Sequence, residues 1–346
     1  MSAIANRPGP HAGYASFANG KHLYFQLRRQ LDQAGCFHKS ALPYVFHIAL
    51  VLTLYFGGFY ILLLNPRLDI RVATLLLIAF ANVQAGVIAH EAGHGAISNR
   101  RWLIVLIGQT FNTFLTALCY SHFQHIHKRH HSHTNEIAKD LDARSNIFSL
   151  YPESAREKRT SAGRFITKHQ ELLIWPLVTL QGFSLKIDSL ITLRKNPEET
   201  RIDQLVLILH VLLWFGLPTY MLGLPTALAN YLLMTWFAGP YLGSIFLVNN
   251  LGMYYVKPYE KLPFLHQQLI TTRNLGQSRF EDFIFGGLNH HIEHHLFPTI
   301  SMYQLRQARL ITRNFCAQHN LPYTEMSWLK AIGEVYTHLR HVKQQT

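Results

Sequence analysis

Four apolar stretches, each about as long as a helix that crosses a bilayer, set the pattern of this chain. Tyr44–Leu64 carries no formal charge, and Ile70–Ala89 follows after the short turn Asn65-Pro66-Arg67-Leu68-Asp69, with Arg71 at its mouth. Leu205–Leu222 and Thr226–Val248 form a second pair around Gly223-Leu224-Pro225. A helix of about 20 apolar residues matches the hydrocarbon core, so the pattern predicts spans at 44–64, 70–89, 205–222 and 226–248, arranged as two hairpins. Asn82 and Gln84 inside the second span should face protein, because an amide costs too much against lipid. Gly239-Pro240 should kink the fourth span. Trp102–Leu118 is apolar but short and broken by Gly108, Gln109 and Asn112. It is expected to pack as a re-entrant or interfacial piece and not as a fifth crossing. Leu172–Leu185 is expected to lie in the interface.

Between the spans the chain turns polar. Residues 1–42 form an N-terminal segment: Met1–Gly20 reads as flexible, and His22–Gln33 as a basic surface helix. The stretch 43–340 holds the spans and the polar segments between them, and 341–346 is a short tail. Tyr303–His319 and Trp328–His341 have amphipathic spacing. The formal net charge is +13. With no nucleic-acid signature in view, that charge points to a membrane surface. The hairpin turns contain a single basic residue, Arg67, so the segments 1–42, 90–204 and 249–346 hold nearly all the Lys and Arg. By the positive-inside tendency these segments, and both termini, are expected on the cytosolic side. Three cysteines (Cys36, Cys119, Cys316) without CxxC spacing predict neither a disulfide framework nor a thiolate metal site. No cleaved leader is expected at the start.

Histidine is the residue type that changes the picture, with 22 in the chain. His291, His294 and His295 fall at i, i+3 and i+4, the spacing that shares one helical face. His127, His130 and His131 repeat it, and His90 and His94 stand at i and i+4. In the predicted topology no full crossing separates the first cluster from the second, and two separate the second from the third. All eight imidazoles then share one membrane face. One ion takes at most six of them, so two ions are the natural count. Ligand affinity alone favours copper or zinc over iron, and the spacing by itself leaves the metal open. His47 and His210 read as hydrogen-bonded packing residues within spans. His266 and His338 read as solvated.

The motifs His90-Glu-Ala-Gly-His94, His127-Lys-Arg-His-His131 with its trailing Thr134-Asn135 and Asp140-Leu-Asp142, Thr271-Thr-Arg-Asn274 and Gly286-Gly-Leu-Asn-His-His-Ile-Glu-His-His-Leu-Phe-Pro298 resemble those of the membrane fatty acid desaturases, within the wider histidine-box di-iron oxygenases. The resemblance covers roughly residues 43–340. It implies an all-α fold of four transmembrane helices in two hairpins, capped by a helical cytosolic domain that carries the histidine boxes. It also implies a multi-pass membrane protein with its active site on the cytosolic side. The reaction it implies is insertion of a double bond into a fatty acyl chain by two irons and dioxygen. Carried over by position, the metal ligands are His90, His94, His127, His130, His131, His291, His294 and His295. Many relatives place Gln at position 291 and a further histidine near the end of the last span; here those places hold His291 and Asn249-Asn250. Asn250 is a candidate for a direct or water-mediated role. Asp140, Asp142, Asn289, Asn135, Glu91 and Glu293 are candidate partners of the ligands' second ring nitrogens.

The acyl group would arrive on coenzyme A, on a carrier protein or in a membrane lipid. With no haem-binding segment expected in the chain, electrons would come from a separate donor of the ferredoxin or cytochrome b5 type. Trp236, Phe237 and Tyr241 are candidates to line the acyl tunnel. Two other readings stand beside this one. A hydroxylase or ketolase acting on a lipid or carotenoid would use the same boxes. His90-Glu-Ala-Gly-His94 is also a literal HExxH zinc-protease motif, but no later span supplies the aspartate such a protease needs, and the reading leaves six boxed histidines unused.

Overall fold

The computed structural model describes residues 19–142, 145 and 147–344. Most of the flexible stretch expected at Met1–Gly20, and the last two residues of the tail, lie outside them. The helices in order are α1 (Gly20–Gln33), α2 (Ala41–Leu63), α3 (Leu68–Gly93), α4 (Arg101–Gly108), α5 (Tyr120–Ser132), α6 (Pro152–Arg156), α7 (Ser161–Val178), α8 (Gln181–Lys195), α9 (Arg201–Val211), α10 (Leu217–Leu222), α11 (Leu224–Asn250), α12 (Phe264–Thr271), α13 (Arg279–Ile284), α14 (His291–Leu296), α15 (Leu305–Gln318) and α16 (Trp328–Gln344). Among the described residues the only β pairings are two isolated bridges. Four helices are long and apolar enough to cross a membrane: Ala41–Leu63, Leu68–Gly93, Arg201–Leu222 and Leu224–Asn250. The chain is an all-α membrane protein.

The chain divides into two compact units. One comprises the described residues of Met1–His38, Ile126–Pro176 and Ile245–Thr346; the other comprises Lys39–His125 and Leu177–Ser244. The second unit holds most of the spanning helices. α2 and α3 approach closely where Gly58 meets Ile78; a Cβ on Gly58 would stand 2.7 Å from Ile78 Cγ1. Asn82 and Gln84 are buried, as expected of amides at that depth: Asn82 Nδ2 donates to the Leu115 carbonyl (3.0 Å) and Gln84 Nε2 to the Tyr241 hydroxyl (2.6 Å). The short apolar piece after the first histidine pair is α4 followed by a π-helical turn, Gln109–Phe114. Most of the π-helical turn is buried within the unit, and the residue after it is held by Tyr55, whose hydroxyl donates to the Leu115 carbonyl (2.8 Å).

The third span is α9, a π-helical turn Leu212–Gly216, and α10. Pro218 explains the turn: its ring nitrogen has no hydrogen to give residue 214, so the ladder widens just ahead of it. Pro240 lies within α11. There the backbone of Thr179 comes so near that a Cβ on Gly239 would sit 2.2 Å from its carbonyl oxygen. The expected interfacial piece 172–185 is therefore the junction of α7 and α8, packed at that end against α11.

In the first unit, α12, α14 and α15 form the surroundings of the third histidine box. Arg273 is fully buried, with its guanidinium on the Leu251 carbonyl. A second cluster joins Ile174, Leu251, Val335 and Leu339. Cys36, Cys119 and Cys316 are free thiols, all buried.

Candidate metal centre

The first histidine pair sits at the very end of a spanning helix. α3 runs past the expected stop at Ala89 and takes His90 into its last turn, with His94 as its C-cap. Gly95, at φ +69°, ends it: Gly95 N–H donates to Ala92 and Ala96 N–H to Glu91, satisfying the last carbonyls. The rings of His90 and His94 stand with centroids 4.7 Å apart, edge to face. Glu91, the acid of the HExxH reading, is buried and accepts a 2.5 Å hydrogen bond from the Tyr44 hydroxyl.

In the first unit, α5 presents His127, His130 and His131, and α14 presents His291, His294 and His295. α14 is only six residues long. Gly286 and Gly287 precede it with φ of +56° and +78°, a left-handed turn that glycine adopts without a steric penalty. The two helices sort the six rings into two groups. His127, His131 and His294 offer ring nitrogens within 4.8 Å of one another, and so do His130, His291 and His295. Each group thus draws on both helices, which the sequence spacing did not reveal. The His131 and His295 rings stack between the groups at 4.3 Å.

The groups around the rings orient them. His130 Nδ1 donates to Asp140 Oδ2 at 2.8 Å, and the same oxygen accepts from the Asn135 backbone N–H at 2.8 Å. Burial pushes the His130 imidazole down, but the charge and hydrogen bond of Asp140 outweigh it and hold the pKa above its ordinary value. Asp142 reaches His127 Nδ1 at 3.5 Å; burial nevertheless keeps that imidazole below the usual range. His295 Nδ1 stands 3.0 Å from both Gln268 Oε1 and Thr134 Oγ1. His291 Nε2 stands 2.9 Å from Asn250 Oδ1, and its Nδ1 is 3.4 Å from Asn249 Nδ2. Burial lowers the His291 pKa strongly, so the ring is neutral, the form that coordinates a metal.

Three candidates sit elsewhere. Asn289 donates to Asp282 (2.8 Å) and to the Gly276 carbonyl (3.0 Å), and so braces the loop ahead of the box. Asn135 donates to three backbone carbonyls, those of Asn250, Tyr254 and Thr271. Glu293 points away from the rings to Asn274 and Tyr323, each at 2.8 Å; burial pushes its carboxyl up to about 7. Gln268 and Thr134 escaped the sequence reading. Thr134 lay within the quoted Thr134-Asn135 pair, but nothing in the sequence marks Gln268. His266 and His338 are buried, not solvated: His338 Nε2 donates to the Leu150 carbonyl at 2.7 Å, and His266 lies under Gly20.

The donor set suits a metal of borderline softness: imidazoles and no thiolate among the described residues, with all but the half-buried His94 buried. His127 Nε2 and His131 Nε2 stand 3.0 Å apart, close enough for both lone pairs to reach one cation. Residues 70–327 match the sequence profile of the family described as Fatty acid desaturase. The chain belongs to the fatty acid desaturase family. It is an oxidoreductase of fatty acyl chains, with histidine clusters compatible with metal binding. It is 25% identical to a Delta(8)-fatty-acid desaturase of Borago officinalis over 89% of this chain and 72% of that protein. It is 26% identical to the Delta(6)-fatty-acid desaturase fat-3 of Caenorhabditis elegans, over 86% and 70%. An acyl-lipid (9-3)-desaturase of Physcomitrium patens is 23% identical over 92% of this chain and 61% of its own length.

Proposed function

We propose that this desaturase holds two iron ions on eight histidines and uses dioxygen to introduce a double bond into a fatty acyl chain. The observation that carries the reading is the sorting of six buried imidazoles into two groups of three. His127, His131 and His294 would hold one ion, and the family resemblance adds His90 and His94 to the ligand set. His130, His291 and His295 would hold the other, with Asn250 completing it directly or through water. When bound, the irons supply the oxidising power that an unactivated C–H bond demands and that no side chain has.

The chain's own groups do the rest. Asp140, Gln268 and Thr134 each engage a second ring nitrogen, which fixes the ring's direction and leaves its other nitrogen for the metal. The burial of both groups excludes water. The apolar spans accept the acyl chain from the bilayer, with Trp236, Phe237 and Tyr241 on its path. Both termini and the site lie on the cytosolic side, and a separate ferredoxin or cytochrome b5 type donor brings the electrons.

Expression of the chain in a host whose lipids lack its product, followed by acyl-chain profiling, tests the reading. New unsaturation is expected. A hydroxylated product would instead favour the hydroxylase reading, and unchanged lipids beside cleaved membrane proteins the protease.

A further inference from the structure

A cavity of about 330 Å³ opens in the unit that holds the spans, lined by Val105, Gln109, Tyr120, Ser121, Gln124, Glu198, Glu199, Arg201 and Ile202. Its height in the membrane follows from the chain: Arg201 and Ile202 are the first residues of the third candidate span. Trp102, Leu106, Ile202 and Leu205 are all exposed on the neighbouring turns. A span's end carries its residues into the headgroup layer.

The cavity sets polar and charged side chains into a largely apolar wall, and its charge runs against that of the molecule. In a chain of formal net charge +13, it presents Glu198 and Glu199 against Arg201 alone. Arg201 is paired with Glu198, which leaves Glu199 as the surplus charge. Behind the wall the fully buried Asp203 adds another carboxylate, accepting from Tyr120 N–H (2.7 Å), Ser121 N–H (3.2 Å) and Ser121 Oγ (2.6 Å). Gln109 and Tyr120 are 7% and 5% exposed, and neither Gln109 Oε1 nor the Tyr120 hydroxyl has a hydrogen-bond partner. The Tyr120 ring fits against Gly108, where a Cβ would stand 2.1 Å from Cζ. Burial, with the charge of Asp203 behind it, pushes the phenol up to about 12, so it stays a neutral donor.

We infer that this cavity receives the headgroup of a phosphocholine lipid, so that the acyl chain reaches the histidines esterified in a membrane lipid and not as a thioester. Glu199 and the Tyr120 ring suit a quaternary ammonium, which is drawn both to carboxylates and to aromatic faces. Arg201, the Tyr120 hydroxyl and the Gln109 amide suit the phosphate and ester oxygens. A coenzyme A or phosphoglycerol headgroup would bring net negative charge to a surplus carboxylate, which costs affinity. The cavity also leads the right way. Gln124, on its wall, lies directly over Gly93, where a Cβ would stand 1.9 Å from Gln124 Nε2, and Gly93 lies between His90 and His94. A chain passing Gln124 therefore meets the first histidine pair.

The inference rests on the desaturase reading, and the test separates the two. The full chain in maltoside micelles is titrated calorimetrically with oleoyl-lysophosphatidylcholine, oleoyl-lysophosphatidylglycerol and oleoyl-coenzyme A. The choline lipid should bind tightest. Glu199→Lys should weaken it about tenfold and strengthen the phosphoglycerol lipid; Glu199→Gln and Tyr120→Phe should weaken the choline lipid by less. Equal binding of all three, tightest binding of the thioester, or choline binding indifferent to all three substitutions would overturn the headgroup assignment, even with new double bonds in the host's lipids. Selective choline binding without any unsaturation would keep the assignment and sink the desaturase reading.

Discussion

Two sets of buried histidines live in this molecule, and they are buried alike but employed differently. His210 uses both ring nitrogens within its unit: Nδ1 donates to the Phe114 carbonyl at 2.6 Å, and Nε2 meets the Tyr231 hydroxyl at 3.0 Å. His47 meets Gln84 at 2.9 Å, and His338 the Leu150 carbonyl. The boxed histidines differ: one nitrogen of His130 and of His295 goes to an acid, amide or hydroxyl, and the rings crowd against other imidazoles. Burial alone therefore says little about metal binding. Convergence of several imidazoles on one another is what separates ligands from packing residues.

That contrast can be broken from either side. The largest effect is expected at His294, whose ring stands against those of His127, His131, His291 and His295: His294→Ala should abolish desaturation and remove at least one of the two irons, read by metal analysis of membrane-inserted protein. Asp140→Asn comes next. It keeps the shape but loses the charge that aims His130, and it should weaken metal affinity by about 10- to 100-fold, measured by chelator competition. His210→Phe should do the opposite. It should leave iron content alone and lower unfolding free energy by about 1–2 kcal/mol, because the Phe114 carbonyl and the Tyr231 hydroxyl lose their partner. Loss of iron in that variant would erase the distinction.

The smallest effect concerns the loop ahead of the third box. Burial raises the Asp282 carboxyl, but hydrogen bonds from His290, Asn289 and Arg306 outweigh it and bring it down to about 2. A depressed acid stabilises the fold above its unfolded pKa and loses that contribution as pH falls through the folded one. The stability gap between wild type and Asp282→Asn should therefore be constant near neutrality and close between about pH 4 and 2.

The sequence made the spans legible because lipid admits only uncharged helices of a fixed length, and it made the box spacing legible because i, i+3 and i+4 share a face. The piece 102–118, short and broken by Gly108, Gln109 and Asn112, is not among the four helices long and apolar enough to cross. The sequence could not show that His130 would group with His291 and His295 while its neighbour His131 groups with His127 and His294. That sorting depends on how α5 and α14 cross, a tertiary fact. Gln268 was invisible for the same reason: it is 27 residues from His295, whose ring it contacts. Asn289 sits beside His290 in sequence, yet its shortest bonds go to Asp282 and the Gly276 carbonyl.

Metal content puts the two-ion centre to its most direct trial. The full chain, purified from iron-replete cells and quantified by plasma emission spectroscopy beside protein mass, should carry two irons per polypeptide. A single zinc, with iron absent, would contradict it.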